Sequence, residues 1–328
     1  MKRRELMQLL GGALLPAAGA IAQTTTQPAS PSIANGKTIR VIVPLTPGTP
    51  SDAVTRMWAP LMSKILGQPV VVENKPGANG ILAVQEVMRS APDGTTLFMS
   101  SVSALALNVA LVKNLPYDPR KDFTPIAGIY SGNHAWFVKS SFPAKTFGEF
   151  VAHVKQNPGR VSAGHSSALQ QIQFAAFNKM VGADLLLVPY KATNTSITDV
   201  IGGSLDVTLL DMGGAMAQAK GGMIRVLGVS TLKRNPLMPE WPAVSETLPG
   251  FDFSSWSALV GPAGMPADVV QRLSNAMGQV LKNKEFLDQL RQAALVGMPM
   301  GPDELKAYID SEIGKWVRVA REARIEPE

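Results

Sequence analysis

Residues 38–74 read "TIRVIVPLTPGTPSDAVTRMWAPLMSKILGQPVVVEN". Two short runs rich in branched apolar residues, at 38–45 and 68–74, flank an amphipathic run at 53–67. A loop rich in Pro and Gly, at 46–52, leads into the amphipathic run. Short strands that alternate with helices are typical of a parallel, doubly wound α/β sheet. This stretch therefore predicts a β-α-β unit.

The same plan continues and then recurs in the second half of the chain. A helical pattern, "ILAVQEVMRSA", and a strand pattern, "TTLFMSS", complete a first β-α-β-α-β unit. From Gly159 the order repeats with "GRVSAG", "ALQQIQFAAFNKMVG", "ADLLLVPY", "SITDVIGG" and "LDVTLLD". Two such units within a chain of 328 residues predict two lobes, each of ordinary domain size.

Two apolar segments are candidates for the chain crossing between the lobes. The first is "DFTPIAGIYSGNHAWFVKSS" and the second is "FDFSSWSALVGPAG". Two helical patterns follow, at 267–294 and 302–323, and both are expected on the first lobe. The expected domains are lobe 1 at 38–137 and 258–328, and lobe 2 at 138–257, joined by a two-strand hinge.

The N-terminal residues carry an export signal. A basic start precedes a short apolar run, and a small-x-small cleavage site ends at Ala22. Arg3 and Arg4 leave the Sec and twin-arginine routes both open. We expect a signal peptide at 1–22, a Thr/Ser/Pro linker at 23–37 with little apolar content, and a periplasmic location.

Composition argues against several classes of function. The formal net charge is +6, and the basic residues are scattered without a Lys/Arg run, so we expect no nucleic-acid partner. The chain has no cysteine and only three histidines, His134, His153 and His165, so disulfides are excluded. We expect no metal and no cofactor, because these histidines are far apart in sequence.

Four loops at the carboxyl ends of the predicted strands are candidate binding loops, because doubly wound sheets bind ligands there. They are "TPGTPSD" (46–52), "SSVSA" (100–104), "GHSSA" (164–168) and "LDMGG" (210–214). They supply hydroxyls and backbone N–H groups, and none contains Lys or Arg. Helix N-termini attract anions. The loops therefore favour a carboxylate held by neutral donors over a phosphate clamped by a guanidinium.

The stretch "GHSSA" also resembles a nucleophile elbow, so a secreted serine hydrolase using Ser166 is the alternative function. The hydrolase fold that carries this elbow places its catalytic histidine after the serine. No histidine follows Ser166 here. We therefore expect no enzyme.

Several candidate residues have ordinary structural alternatives. Ser51 and Asp52, like Ser166 and Ser167, suit helix N-caps, and Gly48 suits a turn that needs positive φ. Asp211 would repel an anion unless the ligand also carries a hydrogen-bond donor. The five tryptophans, at 58, 136, 241, 256 and 316, are expected in core or hinge packing.

Six blocks in order resemble the Bug receptors of tripartite tricarboxylate transporters. These blocks are "VIVPLTPGTPSDAVTR", "GQPVVVENKPGANG", "APDGTTLFM", "LPYDPRKDFTPIA", "VPYKATNTSITDVIGG" and "PGFDFSSWSALVGPAGMP". The resemblance implies a type II periplasmic binding-protein fold that closes on a small carboxylate and delivers it to membrane permease subunits. A signalling role with the same fold stays open. We expect a monomer.

The resemblance also implies a gripping role for two facing loops. The family's Pro-Gly-Gly-x-x-Asp pattern falls on residues 47–52, where Thr49 replaces the second glycine and Pro50 lacks an N–H. The family's Thr-Ser-Ser-His string falls on 168–171 or, in a shifted register, on 165–168. The candidate ligand-binding residues are Thr46, Pro47, Gly48, Thr49, Ser51, Asp52, Ser101, Ser103, His165, Ser166, Ser167, Ala168 and Asp211.

Overall fold

The computed structural model describes residues 36–191, 193–322 and 325–327. The predicted signal peptide at 1–22 and nearly all of the predicted linker at 23–37 lie outside these residues. The first strand begins at Ile39, close to the expected start of folded structure.

Within the described residues, six strands form the first sheet. They are β1 (Ile39–Val43), β2 (Val70–Asn74), β3 (Thr96–Ser101), β4 (Phe123–Gly132), β10 (Ser255–Pro262) and β11 (Val296–Gly297), in the spatial order β11-β4-β10-β3-β1-β2. Five strands form the second sheet. They are β5 (His134–Lys139), β6 (Ser162–His165), β7 (Leu186–Pro189), β8 (Val207–Asp211) and β9 (Ile224–Val229), in the order β7-β6-β8-β5-β9.

Helices follow the strands as the sequence pattern predicts. They are α1 (Pro50–Leu66), α2 (Ile81–Met88), α3 (Asn108–Leu111), α4 (Phe147–Gln156), α5 (Ala168–Val181), α6 (Thr193–Gly202), α7 (Met212–Lys220), α8 (Ala267–Val280), α9 (Lys284–Gln292) and α10 (Pro302–Glu322). A π-helical turn at Ser103–Leu107 leads into α3. Helices α3, α4 and α7 and strands β9 and β11 were not predicted from the sequence.

Both β-α-β-α-β units have the predicted parallel strands. β1 pairs in parallel with β2 and β3, and β6 pairs in parallel with β7 and β8. The hinge-side strands β10 and β5 run antiparallel to their neighbours, so each sheet is mixed. The two-lobed α/β fold is confirmed, with antiparallel strands added to each parallel unit.

The chain changes sheets at two places. It passes from β4 to β5 across Asn133, and it returns between the end of β9 and the start of β10. The expected boundaries after residues 137 and 257 fall inside β5 and β10, a few residues beyond these changes. The carboxyl end of β4 lies against the start of β10, since Gly132 pairs with Ser255. The two crossings therefore run side by side.

The tail helices pack on the first lobe. The pattern at 267–294, predicted as one helical run, is divided into α8 and α9 because Asn283 starts a new helix. Its side chain caps α9 by accepting the Phe286 N–H at 3.0 Å. α8 packs on α1 and β4, and α10 packs on β4, α3 and also α5 of the second lobe.

Tryptophans fill the core as expected. Trp136 is fully buried among Phe147, Phe174 and Phe177 of the second lobe. Trp256, in the first sheet, donates its indole N–H to Glu312 of α10 at 2.8 Å. Among the described residues, no helix is both long and apolar enough to cross a bilayer.

Candidate functional site

Asp52 organises the first candidate loop. Its carboxylate accepts the Gly48 N–H at 2.9 Å, the Arg56 Nε–H at 3.0 Å and the Asn74 Nδ2–H at 2.9 Å. Burial acts to raise the pKa of Asp52, but these hydrogen bonds outweigh it and hold the pKa below its usual value. Asp52 therefore folds the loop, and its oxygens are already occupied by protein donors.

The expected caps of α1 were wrong. Thr49 is the N-cap and Pro50 is the first helical residue, so Ser51 and Asp52 lie inside the first turn. Proline is favoured at this position because its missing N–H would have no helical partner. The Thr49 hydroxyl donates to the Thr46 carbonyl at 2.9 Å, which tightens the loop.

Gly48 has the positive φ expected of a turn glycine, at 84°. Its N–H donates to Asp52 and is therefore already paired within the loop. A Cβ built on Gly48 would meet no atom within 4 Å. The backbone angle, rather than crowding, is what requires glycine here.

The second candidate loop ends at the N-terminus of α5. Ser167 caps the helix by accepting the Gln170 N–H at 3.3 Å. The Gln170 Oε1 accepts the Ser166 N–H at 2.6 Å, and the Gln170 Nε2–H donates to the Leu209 carbonyl at 2.8 Å. The first N–H groups of α5, those of Ala168 and Leu169, have no partner within the helix, and helix N-termini of this kind attract anions.

The Ser166 hydroxyl is held by the side chain of Gln170. It donates to the Gln170 Oε1 at 3.1 Å, and an amide oxygen cannot act as the general base that a serine nucleophile needs. His134 contacts Gln173 and Asp211. His165 directly precedes Ser166 in the chain, and burial lowers the pKa of its imidazole.

A cavity of about 320 Å³, which we call the cradle, lies between the candidate loops of the two lobes. Among the described residues, none with a charged side chain lines it. The lobe 1 lining is Pro44, Leu45, Thr46, Pro76, Gly77, Asn79, Gly80, Ser101, Ser103 and Asn108, and the lobe 2 lining is Ser166, Ser167 and Ala168. Hydroxyls, amides and a helix N-terminus thus face one another across this space.

A second cavity, of about 450 Å³, lies beside the crossings, and we call it the hinge-side cavity. Its polar lining residues are Ser51, Ser101, Tyr130, Asn133, Asp211, Ser255, Ser257 and Gln292. Leu45 and Ser101 line both this cavity and the cradle, so the two are neighbours. Asp211 accepts from the His134 Nε2 at 3.4 Å, and the His134 Nδ1 lies 2.7 Å from the Gln173 Nε2.

A third cavity, of about 400 Å³, lies on the other side of the first turn of α5. His165 and Gln171 line it, together with Ile325 and Glu326 from the end of the chain. His165 does not line the cradle. The shifted register of the second loop therefore gives three cradle residues, at 166–168, and leaves His165 outside.

The predicted residues thus fall into four groups, one of which is His165 alone, in the third cavity. The cradle is lined by Thr46, Ser101, Ser103, Ser166, Ser167 and Ala168, and the hinge-side cavity by Gly48, Ser51, Ser101 and Asp211. Pro47, Thr49 and Asp52 line neither cavity and shape the first loop.

Sequence reasoning missed several lining residues. Tyr130 and Asn133 come from the first crossing, and Ser255, Trp256 and Ser257 come from the second. The sequence does contain a feature that could have predicted these residues. Hydroxyl and amide side chains cluster within the apolar crossing segments, in "YSGN" and "SSWS".

Comparison with known sequences gives one family. A sequence model described as the tripartite tricarboxylate transporter family receptor matches residues 54–325. A UPF0065 protein from Bordetella bronchiseptica is 32% identical over 272 residues, which cover 83% of this chain and 79% of the relative.

Solved structures with the same fold include two from Rhodopseudomonas palustris. One, bound to adipate, is 26% identical to this chain with a TM-score of 0.79, and the match covers 89% of this chain and 98% of the adipate-bound chain. The other, MatC with bound malate, is 29% identical to this chain with a TM-score of 0.74, and the match covers 86% of this chain and 98% of the MatC chain.

Proposed function

The chain belongs to the receptors of the tripartite tricarboxylate transporter family, and from this premise we propose that it captures a small carboxylate in the cradle and delivers it to a membrane permease. The family is one of solute-binding receptors. The export signal predicted at residues 1–22 supports a periplasmic location for this receptor.

The observation that carries this proposal is the composition of the cradle. It lies between the lobes, and each lobe contributes donors to it. Ser101 and Ser103 provide hydroxyls from the first lobe, and the N-terminus of α5 provides backbone N–H groups at Ala168 from the second. An anion held at this place contacts both lobes at once, which favours their closure.

The absence of a cation in the described cradle lining sets the chemical preference. A phosphate or sulfate of higher charge is usually held by Arg or Lys. A single carboxylate is adequately held by helix-end N–H groups and hydroxyls. The adipate and malate bound by the two structural relatives are carboxylates of small size, which supports the same ligand class here.

The partners in this proposal are the permease subunits of a tripartite transporter. The receptor acts as a monomer, with one cradle for each chain. Transport of the identified ligand into cells that express the permease should require this chain. Uptake at the same rate with and without the receptor would contradict delivery while leaving capture intact.

A thermal-shift screen of small carboxylates tests capture. We expect several mono-, di- or hydroxycarboxylates to raise the melting temperature, and inorganic phosphate and sulfate to leave it unchanged. If phosphate stabilises the protein and every carboxylate fails, the proposed ligand class is wrong. Labelling of Ser166 by a fluorophosphonate would favour the hydrolase instead.

A further inference from the structure

Ser51 places a buried hydroxyl in the first turn of α1. The residue is 4% exposed and lines the hinge-side cavity. Its carbonyl accepts the Thr55 hydroxyl at 2.6 Å, and its own Oγ neighbours the Tyr130 hydroxyl but makes no hydrogen bond of good geometry to it or to another described group. Buried polar groups are nearly always satisfied, so an unsatisfied one that faces a cavity indicates a ligand.

Asp211 gives the hinge-side cavity its charge, since no other described lining residue is charged. Its side chain is 61% exposed and lines the hinge-side cavity, so its exposed surface faces that space. Burial acts to raise the pKa of Asp211, but the hydrogen bond from His134 holds it below its usual value. Asp211 is therefore an anion at neutral pH.

Tyr130 and Ser257 form the wall contributed by the crossing strands. They are paired in the register of β4 and β10. Burial raises the pKa of Tyr130, and the neighbouring hydroxyls of Ser257 and Ser51 only partly offset this, so the phenol stays neutral. The wall offers hydroxyls, which accept as readily as they donate.

A second carboxylate would fit this cavity badly. It would face the Asp211 carboxylate in a partly desolvated space, where like charges repel strongly. An ammonium or hydroxyl group reverses the sign of that interaction, because it donates to the carboxylate. The shared lining at Leu45 and Ser101 lets one ligand span from the cradle to this cavity.

We propose that the hinge-side cavity is a donor-selective compartment of the ligand site, in which Asp211 and Ser51 bind an ammonium or hydroxyl group of a ligand whose carboxylate lies in the cradle. This inference rests on the proposed function and narrows it. The ligand class is amino- or hydroxy-substituted carboxylates rather than unsubstituted dicarboxylates.

Calorimetry with matched probes tests the compartment. Succinate, malate and aspartate share a four-carbon chain, and glutarate, 2-hydroxyglutarate and glutamate share a five-carbon chain. Within whichever series binds, we expect the substituted acids to bind tighter than the unsubstituted one by about tenfold or more. An unsubstituted diacid that binds tightest would overturn the inference and leave the receptor function standing.

Two variants test whether Asp211 and Ser51 are the residues that bind the donor group of the ligand. Asp211→Asn should abolish the preference, weakening the amino acid and improving the unsubstituted diacid. Ser51→Ala should weaken the substituted ligand about three- to tenfold with little change in the melting temperature, because its hydroxyl makes no hydrogen bond of good geometry within the described protein. This second variant keeps the test valid if Asp211→Asn unfolds.

Ser63→Ala on the same helix is the matched control. The Ser63 hydroxyl donates to the Gln68 carbonyl at 2.8 Å and lines neither cavity, so its loss should lower stability and leave affinity unchanged. Equal affinities of wild type and Ser51→Ala, with the preference retained in Asp211→Asn, would contradict the inference. Failure of every carboxylate to bind would contradict the proposed function and the inference together.

Discussion

Asp52 shows what a single residue contributes to the first loop and how far sequence can predict it. The glycine at position 48 could be predicted from the sequence, because a turn with positive φ admits few other residues. The role of Asp52 could not be predicted, because its partner Asn74 lies 22 residues away on the next strand. Local sequence does not encode which distant side chain completes such a hydrogen-bond network.

Asp52→Asn should lower the free energy of unfolding by about 1–2 kcal/mol at pH 7, because it removes charge-assisted hydrogen bonds. The folded-state pKa of Asp52 lies below its unfolded value, so this stabilisation is present above the unfolded pKa and is lost as pH falls through the folded pKa. Urea denaturation at several pH values should show the two proteins converging below about pH 4. A difference that is constant down to about pH 2, or absent at pH 7, would contradict this role.

At the scale of elements, periodicity predicted most of the helices and strands that carry the site. It failed at α7, whose sequence "MGGAMAQAK" has two glycines and little amphipathic pattern. The position of α7 is set by packing, since a Cβ on Gly213 would lie 2.9 Å from the Ala293 carbonyl oxygen at the end of α9. Ala294, at φ 58°, packs beside it with residues of the second lobe. This contact joins the lobes beside the hinge-side cavity.

Gly213→Ala should weaken ligand binding while the protein remains folded. The added methyl group must push α7 away from α9 and so oppose closure, while alanine favours the helix itself by up to about 1 kcal/mol. Gly148→Ala in α4 is the control, because a Cβ there meets nothing within 4 Å. Calorimetry should show lower affinity for the first variant only. Equal affinities would mean that the contact between α7 and α9 has no part in binding.

At the scale of the whole molecule, the repeated β-α-β-α-β pattern predicted two lobes, but it could not predict the antiparallel crossings. Strand pairing depends on residues far apart in sequence, as Trp256 and Ser131 are. The crossings also carry Tyr130 and Asn133, so the hinge and the binding site share residues. Motion at the hinge therefore changes the shape of the site.

Ligand should make the particle more compact, because lobes joined by two adjacent crossings close by hinge motion. Small-angle scattering with and without saturating ligand measures the radius of gyration. We expect a smaller radius with ligand. The same radius in both states would count against closure of the two lobes on the ligand.

The central claim, that a ligand carboxylate is held between the lobes by neutral donors, is tested most directly by esterifying that carboxylate. The methyl ester loses the charge and places a methyl group against the N-terminus of α5, which leaves donors at Ala168 and its neighbours without partners. Each unsatisfied buried donor costs about 1–3 kcal/mol, so the loss of two weakens affinity by about one to four decades. Calorimetry of the acid and its methyl ester at one pH should show this loss. Equal affinity for acid and ester would contradict the claim.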